Sequence, residues 1–227
     1  MNPLSWMLPP SASTFAGDID RLYYLILIIT GIAFVVVQVG LVWFLIKYRD
    51  RPGRTVHYTH GSVKAEVIWT AVPTVTVVII GLLSGRVWNQ IKGRESVPEN
   101  ALPISILAKQ FEWHVTYPGP DGVTGGSDDF TIRNQLHVPV GRAVVMSMTA
   151  EDVIHAFNVP AFRLKQDVVP GMTIRAWFQA TEPGTYELGC AELCGLGHYR
   201  MRAVVTVHAQ DEYDQWMRTA RQTTAQR

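Results

Sequence analysis

The stretch Cys190-Ala-Glu-Leu-Cys194-Gly-Leu-Gly-His198-Tyr-Arg-Met201 places two thiols, an imidazole and a thioether in one loop-sized run, and it holds the only two cysteines of the chain. Thiolate, imidazole and thioether make a soft ligand set, and soft sets favour copper. A mononuclear blue-copper site takes one Cys, two His and a weakly bound Met. The second cysteine allows two thiolates to bridge two copper ions, and the upstream run Asp152-Val-Ile-His155-Ala-Phe offers the further imidazole. Copper of this kind carries electrons, so an electron-transfer centre is the expectation. A disulfide between the two cysteines and a structural zinc site of two Cys and two His stand as alternatives. The disulfide leaves His198 and Met201 without a role, and zinc has no use for the thioether. Gly195 and Gly197 argue against chance clustering, because they let a tight loop wrap an ion.

A rigid sheet must hold such ligands, and the second half of the chain reads as one. From Ala101 onward short runs rich in β-branched and aromatic residues follow one another: Ile104 to Tyr117, Gln135 to Pro139, Ala143 to Thr149, Val153 to Val159, Thr173 to Phe178, Gly184 to Leu188 and Ala203 to His208. Turn signals such as Val138-Pro-Val-Gly and Glu182-Pro-Gly separate them, and several short strands with regular turns predict a sandwich or barrel. The cysteine loop then lies between the last two strands and His155 on an earlier one. Asp211 to Arg218 predicts a short closing helix. No internal repeat is present.

The first half has a different character. Leu22 to Tyr48 is apolar with no charge before Lys47, and Val67 to Gly85 carries none at all. Each is long enough to cross a hydrocarbon core of about 30 Å as a helix. Pro73 then falls near the start of the second helix, where a helix tolerates it best. Lys47, Arg49, Arg51, Arg54 and Lys64 lie in the connection, so the positive-inside rule puts that loop in the cytoplasm and both termini outside. Arg86, Lys92 and Arg94 flank the other end of the second helix and weaken the asymmetry. The opening MNPLSWMLPPSAS has neither a basic start nor a long apolar core, so no ordinary signal peptide is read. A formal net charge of +1 excludes a nucleic-acid binder by charge. The lipid bilayer is the expected surrounding.

The pattern C-x-E-x-C-x-x-x-H-x-x-M with an upstream D-V-x-H resembles subunit II of haem–copper cytochrome c oxidases, and the likeness extends over nearly the whole chain. It implies an external N-terminal segment over 1–21, a two-helix hairpin over 22–94 (helices near 22–48 and 67–92) and an all-β cupredoxin domain over 95–227. It implies a dinuclear CuA centre with Cys190 and Cys194 as bridging thiolates and His155 and His198 as terminal imidazoles. Met201 and the backbone carbonyl of Glu192 are then the weak ligands. The Glu192 side chain would reach a magnesium ion shared with the catalytic subunit. His60-Gly-Ser-Val-Lys-Ala-Glu66-Val-Ile-Trp69-Thr-Ala-Val-Pro73 resembles the family segment in which the Glu stands at the cytoplasmic mouth of a proton channel. Partners implied are catalytic subunit I, subunit III and others, haems within the catalytic subunit, and a cytochrome c-like donor, all in a bacterial-type inner membrane. A quinol oxidase subunit II lacks these ligands, a copper chaperone needs no Glu66 segment, and a nitrous-oxide reductase CuA domain lacks the hairpin.

One departure concerns the donor. Where the family reads Gln-Trp-x-Trp, this chain reads Gln110-Phe111-Glu112-Trp113. Phe111 and Trp113 are the expected aromatic docking residues, with Glu151 and Asp152 as docking acids and Asp128 and Asp129 as further candidates. The exchange at Phe111 points to a dedicated or complex-bound cytochrome as donor. No Cys-x-x-Cys-His occurs, so no c-type haem is expected on this chain.

Overall fold

A computed structural model describes residues 8–55, 58–93 and 96–225. The chain divides into two compact units: Asp18–Asn89, and the described parts of Met1–Gly17 together with Gln90–Arg227. Positions 1–7 of the N-terminal segment, and Arg94 with Glu95 at the expected domain boundary, lie outside the described residues.

Two long helices dominate the first unit, α1 (Ala16–Lys47) and α2 (Val63–Lys92). Both have the length and apolar composition to cross a membrane, and their side chains are largely uncovered by the rest of the chain. Each begins earlier than the apolar run predicts, because a helix end is set by capping and not by hydropathy. At α2 the Ser62 carbonyl accepts from the Glu66 N–H (3.0 Å), and its hydroxyl accepts from the Ala65 N–H (3.4 Å). Pro73 therefore lies well inside α2, not near its start. Thr74 and Thr76 donate their hydroxyls to the carbonyls of Thr70 and Val72 around it.

The second unit is a sandwich of two five-stranded sheets. Its strands are β1 (Leu102–Lys109), β2 (Glu112–Tyr117), β3 (Phe130–Arg133), β4 (Gln135–Pro139), β5 (Ala143–Ala150), β6 (His155–Val159), β7 (Leu164–Val168), β8 (Ile174–Gln179), β9 (Gly184–Cys190) and β10 (Arg202–His208). The sheets run β3-β2-β1-β5-β8 and β4-β10-β9-β6-β7. Pairing is antiparallel except for β1 with β5 and β10 with β4. Alternation of buried and part-exposed residues along β1, β2 and β5 aims Ile104, Ile106, Trp113, Val115, Met146 and Met148 into the core.

Three features add to the sequence reading. The run Ile104 to Tyr117 is a hairpin, turned at Gln110-Phe111 without any glycine or asparagine. The closing helix α3 (Gln210–Ala225) extends past Arg218 and packs Tyr213 and Trp216 near Tyr117 and Phe130. The N-terminal segment is also more than an external tail. Ser13 Oγ donates to the Phe162 carbonyl (2.8 Å), Ala12 N–H to the Ala161 carbonyl (2.9 Å), and Arg163 to the carbonyls of Pro9 and Pro10. Residues 9–13 thus belong to the sandwich.

Candidate metal centre

The ligand-bearing loop is the connection between β9 and β10, and the sheet closes its base. Cys190 ends β9 and donates its N–H to the Met201 carbonyl (3.0 Å), one residue before β10 begins. Ala191 N–H donates to Ala156 on β6 (3.0 Å). Within the loop His198 N–H donates to Gly195, Arg200 to Gly197 and Met201 to His198. His155 enters from β6, where Phe157 pairs with Cys190. Residues two apart on a strand share a face, so His155 and Phe157 point the same way.

The donor atoms form a continuous run. His155 Nδ1 lies 3.9 Å from Cys190 Sγ, which lies 3.8 Å from Cys194 Sγ, which lies 3.5 Å from His198 Nδ1. The Glu192 carbonyl oxygen flanks Cys190 Sγ at 3.2 Å, and Met201 Sδ flanks Cys194 Sγ at 3.8 Å. Metal–ligand bonds of about 2.0–2.3 Å in tetrahedral geometry space adjacent ligands about 3.3–3.8 Å apart. The Cys190–Cys194, Cys194–His198 and Cys194–Met201 spacings fall in this range and the His155 and Glu192 spacings lie 0.1 Å outside it, so the residues fit bound ions. The ligand atoms of His155, Cys190 and Cys194 gather within 4.8 Å of one another, whereas His198 and Met201 stand on the Cys194 side. An elongated donor set with two central thiols suits two ions better than one. The thiols are free and far beyond a disulfide bond of about 2.05 Å. The fully buried thioether at the Cys194 side disfavours zinc.

The surroundings orient these ligands. The His155 ring is wholly buried, and its Nε2 donates to Asp152 Oδ1 (2.9 Å). A carboxylate acceptor there pins the proton on Nε2 and leaves the Nδ1 lone pair facing Cys190. Asp152 Oδ2 accepts from the Gln110 N–H (2.7 Å), and Gln110 Nε2 donates to the Cys194 carbonyl (2.6 Å). The β1–β2 turn thus ties the His155 segment to the cysteine loop. Burial opposes the Asp152 carboxylate, yet hydrogen bonds from His155, Gln110 and Val153 outweigh it and hold the group below its ordinary value. Burial first, and then the neighbouring Cys190, push the Cys194 thiol up to about 12. Loading a cation therefore displaces a proton from Cys194.

Phe111 packs its ring on the loop. A Cβ added at Gly197 would stand 2.3 Å from Phe111 Cδ2, and one at Gly195 would stand 2.7 Å from Gln110 Nε2. Arg200 holds its guanidinium 5.7 Å from the same ring centroid. Phe111 is half-buried and lines an open cavity of about 540 Å³ with Lys109, Gln110, Glu112, Glu151, Asp152 and Arg200. Trp113, expected among the docking residues, has no exposed surface. Its inward position on β2 sets it edge-on to the His155 and Phe157 rings, at 6.2 and 5.7 Å, so it supports the site from behind. Asp128 and Asp129 belong to a separate turn, where Asp129 accepts from the N–H groups of Gly119 and Gly125. Glu192 directs an exposed side chain outward. Glu66 sits in the first turn of α2, in the other unit. Gln110 and Arg200 were not singled out as site residues. Gly195 and Gly197 were read as letting a tight loop wrap an ion, and the close approach of Gln110 and Phe111 to them was not read.

Both halves of the chain match known proteins. Residues 2–87 match the family model "Cytochrome C oxidase subunit II, transmembrane domain", and residues 107–208 match "Cytochrome C oxidase subunit II, periplasmic domain". The chain is 34% identical over 235 residues to the alternative cytochrome c oxidase subunit 2 of Bradyrhizobium diazoefficiens, covering 93% of this chain and 83% of that one. It is 31% identical over 258 residues to cytochrome c oxidase subunit 2 of Synechocystis, covering 93% and 75%. The crystal structure of the periplasmic domain of a Bradyrhizobium japonicum cytochrome oxidase subunit II superposes with a TM-score of 0.50 at 31% identity, covering 56% of this chain and 98% of that one.

Proposed function

The chain belongs to the cytochrome c oxidase subunit II family, and from that membership we propose that it receives electrons one at a time from a cytochrome c-like donor and delivers them to haem in the catalytic subunit. The observation that carries the proposal is the unbroken run from His155 Nδ1 through Cys190 Sγ and Cys194 Sγ to His198 Nδ1. A copper centre held there would supply one-electron storage and transfer. Cys190 and Cys194 would hold the metal at the centre of the donor run, His155 and His198 at its two ends, and Met201 and the Glu192 carbonyl more weakly. Asp152 fixes the His155 tautomer, and Gln110 fixes the loop at Cys194. Little rearrangement is needed on electron uptake, because strand ladders and these hydrogen bonds preset the ligands.

In the assembled oxidase, oxygen is reduced to water at the catalytic subunit and protons are pumped. Glu66, at the start of α2, collects protons on the cytoplasmic side. The exposed Glu192 side chain would supply a ligand to a magnesium ion shared with subunit I. Subunit III and others complete the complex in a bacterial-type inner membrane, with the copper domain on the outer face. The hydrogen bonds of residues 9–13 to the sandwich favour an N-terminal segment on that same side. The donor is a dedicated or complex-bound cytochrome, and it co-purifies with the oxidase.

Electron paramagnetic resonance of the copper-loaded full-length chain tests the centre. A mixed-valence spectrum with coupling to two copper nuclei is expected. A four-line single-copper spectrum, or zinc as the only metal retained, overturns the proposal.

A further inference from the structure

The chain passes between its two compact units twice, between Gly17 and Asp18 and between Asn89 and Gln90. Residues on the sandwich side of both crossings meet one side chain, Trp177. It stands on β8, an outermost strand of its sheet, opposite Val145 of β5. Its neighbours Ala176 and Phe178 point into the core, so strand alternation turns Trp177 to the outer face. The indole is nevertheless half-buried, because chain from beside each crossing covers it.

Beside the first crossing lies Phe15, itself buried, whose ring meets the indole edge-on at 5.6 Å. Its segment is laced to the end of the same strand. Thr14 N–H donates to the Gln179 carbonyl (3.1 Å), Thr181 N–H donates to the Ala12 carbonyl (3.0 Å), and Ser13 pairs with Ala180. Beside the second crossing lies the last turn of α2. Trp177 Nε1 donates to the Ile91 carbonyl (2.7 Å), and Ser96 Oγ donates to the same oxygen (3.0 Å). The last four carbonyls of a helix have no partner within it, and here the sandwich supplies one. Lys92 Nζ, one residue on, donates to Gln166 Oε1 of β7, the outermost strand of the other sheet.

A tryptophan near a membrane boundary is commonly part of an aromatic belt, an amphipathic ring at headgroup level. Trp177 spends its N–H on the main chain and its ring on Phe15, which is the geometry of a clamp. Resting on the proposed electron-transfer function, we propose that Trp177 is a positioning residue for delivery of the electron from copper to haem. It holds the residues that enter α1 and those that leave α2 on one strand of the copper domain, and so keeps the copper centre at one distance from its acceptor in the assembled oxidase. Rates depend steeply on such placement, and a misplacement of about 1 Å costs up to about a hundredfold.

Two substitutions separate the contacts. Trp177→Phe keeps a ring against Phe15 and removes the N–H, whereas Trp177→Ala removes both. Hydrogen exchange of the full-length chain in lipid nanodiscs reads the clamp without any metal. Amides of Gln90 to Lys92 and of Thr14 to Ala16 should exchange at least about tenfold faster in Trp177→Ala, while those of β5 and β10 keep wild-type rates. In Trp177→Phe only Gln90 to Lys92 should loosen. In the assembled oxidase, an electron photoinjected into the copper centre should reach haem about tenfold more slowly in Trp177→Ala and about threefold more slowly in Trp177→Phe. Reduction of copper by the donor and the paramagnetic spectrum should not change. Wild-type exchange in both segments overturns the inference. So does faster exchange throughout the sandwich, which makes Trp177 an ordinary packing residue, and so does copper-to-haem transfer at the wild-type rate. If Trp177→Ala does not assemble, Trp177→Phe decides by the same readings. The unsubstituted oxidase separates the two failures. A two-copper spectrum there, with wild-type exchange in the variants, sinks only the clamp; absence of that spectrum sinks the electron-transfer reading and the role resting on it.

Discussion

Replacing Gly197 by alanine isolates the contact between the ligand loop and the β1–β2 turn. The backbone there has φ −93° and ψ 8°, which alanine adopts without strain. Only space is at issue. The new Cβ would stand 2.3, 2.6 and 2.7 Å from Cδ2, Cγ and Cε2 of Phe111, where ordinary contact begins at 3.4 Å. The closest pair must separate by 3.4 − 2.3 = 1.1 Å. Overpacking of this kind costs about 1–3 kcal/mol. The loop base is fixed by the Cys190 N–H to the Met201 carbonyl, so the displacement falls on Gly195 to Tyr199 and carries His198 away from Cys194. A cost of about 1–3 kcal/mol corresponds to roughly five- to a hundredfold weaker copper retention at about 1.4 kcal/mol per decade. Competition of the copper-loaded full-length chain against a graded series of chelators reads that loss. Phe111→Ala in the same chain removes the clashing ring, so the double variant should bind copper better than Gly197→Ala alone. Equal losses with and without the ring, or wild-type retention in Gly197→Ala, would refute the packing argument.

Further outcomes are expected at other positions. Cys194→Ser should abolish the two-copper spectrum, whereas Met201→Leu should keep two coppers and shift the reduction potential, because a thioether is a weak ligand; a potential unchanged in Met201→Leu counts against ligation. Glu66→Gln should slow steady-state oxygen consumption by the assembled oxidase while leaving donor-driven reduction of copper at its normal rate, and slowing of that reduction instead would assign Glu66 elsewhere. The sandwich should lose stability in mild acid through His137, which burial first and His208 second hold down at about 4 from an ordinary 6.5. The unfolded chain protonates this ring below 6.5 and the folded chain does not until about 4, so the contribution is complete above pH 6.5 and is lost as pH falls towards 4. The full shift would be worth about 3.4 kcal/mol at about 1.36 kcal/mol per pH unit, and part exposure of the ring discounts it to on the order of 1–2 kcal/mol. Thermal unfolding between pH 7 and 4.5 should therefore flatten in His137→Gln, and an unchanged slope would place the acid sensitivity in other groups.

The ligand loop was legible because most of its donors fall in one run, and the hairpin because nothing charged interrupts its apolar segments. What stayed hidden was non-local. Asp152 reads as a free surface acid in sequence, yet its oxygens are taken by Gln110, forty-two positions away, and by the His155 ring. The β1–β2 turn escaped notice because Gln110 and Phe111 carry no turn signal. Leu164–Val168 was missed as a strand because its centre, Lys-Gln-Asp, lacks the usual β-forming residues, and pairing with β6 decides its state. Trp113 and Phe111 look interchangeable as docking aromatics until strand alternation buries one and leaves the other at the rim.

That placement changes how the Phe-for-Trp exchange has to be read. In sequence it concerns only the donor. In the fold, Phe111 touches both the cavity a donor would approach and the backbone that carries His198. A substitution at Phe111 therefore alters docking and ligand geometry together, and a changed rate alone cannot assign the cause. The reduction potential separates them. A variant that alters the rate at constant potential acts through docking, and one that moves both acts through the loop. Because an added Cβ at Gly197 already meets the Phe111 ring at 2.3 Å, Phe111→Trp should move both.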